Sequence, residues 1–249
     1  MNLMATIELY AGGEGSGCNP EVGTCGRKPT GRTFDQLMQS KLEGWDSVGY
    51  RTIMYEINRM KEMGFDERLL AKRFSGTIRP MREEDRGKGT AGVYIGPSQG
   101  SRFRLKGIEI DPNHIVHAFI HEFGHWLDDA WVEFQKSSYG HRTPSRPGMD
   151  SRELGKDLRR ARQEFSKAQT EAFDNGAVKL GWNKDTYRSE YEPNYEKTVN
   201  AVSHYALKDA GEWFAESFKE YYHDPRNLNR VAPQTNLLIA KFVQGKYFK

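Results

Sequence analysis

Residues 115–131 read IVHAFIHEFGHWLDDAW, from Ile115 to Trp131. Apolar side chains recur there at intervals of three and four, the spacing of one helix with a buried face. Inside this run stands His121-Glu122-Phe123-Gly124-His125, an HExxH pentapeptide. Residues four apart project from one helix face, so the two imidazoles can converge on a single metal ion. The glutamate between them is placed to take a proton from a water that the metal activates. Asp111-Pro112-Asn113 starts the helix, with proline in the first turn and Asp111 or Asn113 as its cap.

A catalytic zinc takes three protein ligands and keeps one position for water. His121 and His125 supply two. No third histidine follows the motif closely with a glycine between, so the third ligand comes from farther along the chain. The candidate segment is the helical run Gly211–Glu220, in which Glu212, Glu216 and Glu220 lie at i, i+4 and i+8. Glu220 reads as part of an exposed acidic face. Glu212 and Glu216 stand within an aromatic block, and spacing alone leaves either as the ligand.

The remaining histidines are assigned other places. His117 lies one turn before His121, but a fourth protein ligand would close the water position, so a packed or supporting histidine is expected. His114, His141 and His223 are expected to face solvent, and His204 is a candidate for the cleft wall. Trp126, Trp131, Trp213, Phe214 and Phe218 are expected in the core between two packed helices.

Around these segments the chain divides into a flexible Gly-rich N-terminal arm, 1–32, and a single domain, 33–249. The arm contains GGEGSGCNPEVGTCGRKPTGR and both cysteines, Cys18 and Cys25, read as free thiols or a local bridge. Within the domain, 33–90 reads as helices broken near Gly44 and Gly64. The stretch 91–131 reads as a small sheet followed by the HExxH helix. Gly92–Ile95 is one strand, and Phe103–Ile110 alternates as another, with its phase adjusted at Gly107. Residues 138–200 read as a helical insertion, with a long charged helix over 151–180 and a polar connection over 183–196. Residues 201–249 form the lobe carrying the third ligand.

The chain has 37 basic and 34 acidic residues, a net charge of +3, mixed along its length. That balance points away from nucleic acid as a partner. No apolar stretch approaches the ~20 residues of a membrane span. Met1–Gly13 lacks the basic start and apolar centre of a secretory signal, so a cytoplasmic location is expected.

HEFGHWLDD together with Tyr205-Ala-Leu-Lys-Asp-Ala-Gly-Glu212-Trp-Phe-Ala-Glu216-Ser-Phe218 resembles the zinc-binding core of the gluzincin family of anthrax lethal factor and the Pro-Pro endopeptidases. Val231-Ala232-Pro233-Gln234-Thr235 is similar to a further segment of that family. The resemblance covers roughly residues 105–249, with about 30 residues carrying its specific part. It implies an α+β, zincin-like metalloprotease domain: a small mixed sheet over the HExxH helix and a mainly helical C-terminal lobe. It implies one Zn2+ held by His121, His125 and Glu212, with Glu122 as general base and Tyr205 stabilising the transition state. Glu216 would orient a liganding imidazole, and Asp128 or Asp129 is a further candidate for that role. The strand over 103–110 would border the cleft and pair with an extended peptide. The chain departs from the family by placing 86 residues, 126 to 211, between His125 and Glu212.

The activity this implies is a zinc-dependent endopeptidase acting on a protein or peptide. The alternatives are a catalytically silent, zinc-stabilised structural or interaction protein of a phage particle, and a toxin-type metal hydrolase. The arm resembles a glycine-cysteine segment of phage and prophage head-morphogenesis and associated proteins, which implies phage structural proteins as partners and association with the virion.

Overall fold

A computed structural model of the chain describes residues 34–66, 69, 76–87, 89–96, 106–135, 149–174, 179–183, 188–191, 201–203 and 205–248. The N-terminal arm with Cys18 and Cys25 lies outside the described residues, as do His141 and His204.

Two helices open the described chain, α1 (Phe34–Gln39) and α2 (Ser47–Glu62). Asp46 caps α2 by accepting from the Gly49 N–H at 2.7 Å. The helix stops beside Gly64, whose φ of 88° is open to glycine at little cost. The breaks near Gly44 and Gly64 thus stand where the sequence places them.

Three short strands form a mixed sheet in the order β1-β3-β2: β1 (Thr77–Pro80), β2 (Gly92–Ile95) and β3 (Gly107–Ile110). β1 lies in the stretch 33–90, which the sequence reads as helices alone. β3 runs parallel to β1 and antiparallel to β2. A side chain at Gly107, where φ is 143°, would collide with the carbonyl oxygen of Thr77. Glycine is therefore the condition for β1 to pair there.

This topology corrects one expectation. The described part of the 103–110 strand, β3, is the central strand, paired on both sides, and all four of its residues are buried. It has no edge to offer a peptide. β2 is the edge strand that faces the cleft instead.

Helix α3 (Ile115–Leu127) carries the HExxH motif. Its cap position is taken by His114, without a side-chain hydrogen bond, while Asp111 accepts from the Asn113 N–H at 3.0 Å in the turn before it. At its far end the backbone widens into a π turn over Asp128–Val132 and then reverses at Glu133, φ 55°.

The rest is mainly helical. α4 (Ser151–Asp174) ends earlier than the expected 180, and an antiparallel pair, β4 (Lys179–Asn183) and β5 (Arg188–Tyr191), follows where the sequence reads helix and polar connection. α5 (Ala210–His223), α6 (Pro225–Val231) and α7 (Pro233–Val243) complete the described chain. α4 is tied into the fold by its Glu164. That carboxylate accepts from the N–H groups of Gln234 (3.0 Å) and Thr235 (2.8 Å) at the start of α7. The Thr235 hydroxyl in turn accepts from Trp213 of α5 at 3.0 Å.

One apolar core joins α2, the sheet and α3 to α7. Ile57, Ile108, Phe119, Phe123, Trp213, Phe214, Phe218 and Leu238 are all within 1% of full burial. Trp126 and Trp131 are buried with them, as the sequence predicts. Each such side chain contributes roughly 1.5–3 kcal/mol on leaving water. The molecule is thus a mixed α+β protein, mostly helical with a small three-stranded sheet, and no described helix is long and apolar enough to cross a membrane.

Candidate metal centre

α3 and α5 cross so that His121, His125 and Glu212 meet. Glu212 sits in the first turn of α5, whose cap is Asp209. The Asp209 carboxylate accepts from the N–H groups of Gly211 (2.8 Å) and Glu212 (2.9 Å), fixing the backbone from which the Glu212 side chain leaves.

His121 Nε2 and His125 Nε2 are 3.1 Å apart, and Glu212 Oε2 lies 3.3 Å from the first and 3.1 Å from the second. Tetrahedral coordination at 2.0–2.1 Å sets neighbouring ligand atoms about 3.3 Å apart, so this triangle fits one face of a zinc-sized site. The tautomer agrees. His121 Nδ1 is 2.8 Å from Glu216 Oε1, which leaves the Nε2 lone pair of a neutral ring facing the triangle. Three lone-pair atoms so close repel one another unless a proton or a cation lies among them.

Without a cation the proton serves. Burial opposes charge on His121, but hydrogen bonds to Glu212 and Glu216 outweigh it and carry its pKa up to about 9. Burial also opposes charge on both carboxylates. Hydrogen bonds from the two imidazoles nevertheless hold Glu212 well below the usual carboxylate range. His121 and Lys219 bring Glu216 down to about 2. Lys219 Nζ lies 2.7 Å from the same Glu216 oxygen that faces His121.

Glu122 is 6% exposed and lines the cleft beside the triangle. Burial pushes its pKa up against the pull of His125 and His121. β2 reaches it only because position 92 is glycine: a Cβ there would stand 2.8 Å from Glu122 Cγ. The cleft measures about 330 Å³ and is walled by Gly92, Val93 and Tyr94 on one side and by Tyr205 and Asp209 on the other.

Tyr205 lies on a 3-10 turn just ahead of α5, 45% exposed, with its ring centroid 5.8 Å from that of His121. Asp128 departs from expectation. It spends both oxygens on the backbone N–H groups of Phe134 and Gln135 (3.2 Å for the latter), and burial raises its pKa to about 6. Asp129 accepts from the Tyr94 hydroxyl at 3.1 Å. His117 is exposed, not packed, and His114 and His223 are exposed as expected.

Lys208, Lys219 and Tyr94 touch these residues and were not singled out in the sequence. Lys208 stands three residues after Tyr205 and four before Glu212, and Lys219 three after Glu216. That turn-and-helix spacing was the available signal.

No family model, curated protein or solved structure matches the chain.

Proposed function

We propose that this protein is a zinc-dependent endopeptidase with a zincin-like catalytic domain. The observation that carries the reading is the Nε2–Nε2–Oε2 triangle of His121, His125 and Glu212, with Glu122 beside it at the wall of an open cleft. A structural ion needs neither an open position nor a buried carboxylate next to it.

A zinc ion held by His121, His125 and Glu212 would supply Lewis acidity, the chemistry that makes water a nucleophile near neutral pH. Glu122 would serve as the general base, accepting a proton from the attacking water and passing it to the departing amine, a role its raised pKa favours. Glu216 fixes the tautomer and orientation of His121. Tyr205 donates to the oxyanion of the tetrahedral substrate intermediate. β2, the edge strand along the cleft, offers main-chain groups to an extended peptide.

The test combines metal analysis with cleavage of a random peptide library. The wild type is expected to hold one zinc per chain and to cut peptides, losing activity to a chelator and regaining it with zinc. Glu122→Ala is expected to keep the zinc and cut nothing. Stoichiometric zinc in a wild type that cuts no peptide or protein would refute the peptidase reading and leave a structural ion.

A further inference from the structure

Resting on the peptidase reading, we infer that Lys208 is a positioning residue that joins the Tyr205 hydroxyl and the outer oxygen of Glu212 into one unit. Its Nζ lies 3.1 Å from the Tyr205 hydroxyl oxygen and 3.4 Å from Glu212 Oε1, and 4.3 Å from the centre of the Tyr205 ring. Its side chain is only 12% exposed, an unusual state for a lysine. An ordinary surface ion pair is solvated and touches one partner. Lys208 is largely covered and touches two.

The chemistry of the ammonium decides what these contacts do. It can only donate, so both oxygens accept from it, and the Tyr205 proton is not spent on Lys208. A cation on the phenol oxygen also strengthens that hydroxyl as a donor. The ring leaves a short 3-10 turn and is nearly half exposed, so the ammonium over its face limits where it can swing. On the other side the Glu212 carboxylate is divided. Oε2 faces the two imidazoles, and Oε1 is held by Lys208, which resists rotation of the group. One side chain thereby sets both the ligand that completes the triangle and the donor that meets the substrate.

The test uses Lys208→Met, Lys208→Arg, Tyr205→Phe and the double variant Lys208→Met/Tyr205→Phe, each checked for folding by its thermal midpoint. Zinc affinity is read first, without substrate, by competition with a chromophoric chelator. Lys208→Met and the double variant are expected to bind zinc on the order of 10-fold more weakly, as for loss of a group that orients a ligand, with Tyr205→Phe unchanged and Lys208→Arg close to wild type. Turnover of a library peptide is read second. Lys208→Met and Tyr205→Phe are each expected to lower kcat with KM nearly unchanged, Tyr205→Phe by on the order of 10²-fold, and the double variant to lose little beyond Tyr205→Phe. Unaltered zinc affinity in Lys208→Met overturns the proposal, and so does a double variant whose loss is the product of the two single losses. If the wild type cuts no peptide, the peptidase reading fails on its own, and the zinc measurement alone decides the role of Lys208.

Discussion

Gly124 lies against Ala215 where α3 crosses α5. A Cβ at position 124 would stand 3.0 Å from Ala215 Cα and 3.2 Å from Phe218 Cβ. The contact is one residue before His125 and three after Glu212, so the missing side chain sets how closely the imidazoles and the carboxylate approach.

Gly124→Ala is therefore expected to separate effects on stability and on metal. Alanine gains about 1 kcal/mol of helix propensity over glycine. Overpacking against the Ala215 backbone costs about 1–3 kcal/mol. Unfolding in urea should show a net change within about 2 kcal/mol. Zinc affinity should fall, because a shift of a few tenths of an ångström widens the triangle. Zinc affinity equal to wild type would show that the crossing does not govern the site.

Zinc uptake is expected to release a proton. His121 has a pKa of about 9 in the cation-free chain, and its Nε2 must lose the proton to act as a ligand. Below pH 9 each ion bound displaces about one proton from this ring, and log affinity rises by about one per pH unit until the slope flattens near pH 9. Calorimetry in buffers of different ionisation enthalpy measures the proton count. A count of zero from this ring at pH 7 would mean it is already neutral.

Glu122→Gln is expected to keep the fold and the zinc while lowering kcat on the order of 10²–10⁴-fold, the usual contribution of a general base. Stability should not fall, since the change removes a carboxylate that burial already disfavours as an anion. Steady-state kinetics on a library-derived peptide, with metal analysis of the same sample, checks both parts.

Asp128 gives stability an acid dependence. Its folded pKa of about 6 lies above the ordinary 3.8, so the folded chain binds this proton more tightly than the unfolded chain. The stability it contributes is complete below pH 3.8 and is withdrawn as pH rises through about 6, by at most about 3 kcal/mol. Asp128→Asn lacks this change. Denaturant unfolding between pH 4.5 and 7 should show the wild type losing stability relative to the variant as pH rises, and the opposite trend would contradict the assignment.

The two helices of the site were legible because their chemistry and periodicity coincide. HEFGH sits on an apolar helix, and Glu212 opens an aromatic block that is fully buried. The choice of Glu212 over Glu216 came from resemblance, since both carboxylates approach His121 and only the handedness of the crossing separates their roles. β1 was not legible: Thr77-Ile78-Arg79-Pro80 buries one residue of four and carries no alternation. The edge position of β2 was hidden for the same reason, because β1 takes the other side of β3. The backbone contacts of Asp128 were not legible, because a π turn and a left-handed Glu133 bring the Phe134 and Gln135 N–H groups back onto it, a backbone event that no side-chain spacing announces.

The most direct measurement is an anomalous difference map at the zinc absorption edge, from crystals grown with one equivalent of zinc. The expected result is a single peak at about 2.0–2.2 Å from His121 Nε2, His125 Nε2 and one Glu212 oxygen. A peak held by the two imidazoles while the Glu212 carboxylate turns elsewhere, or no peak at all, would contradict it.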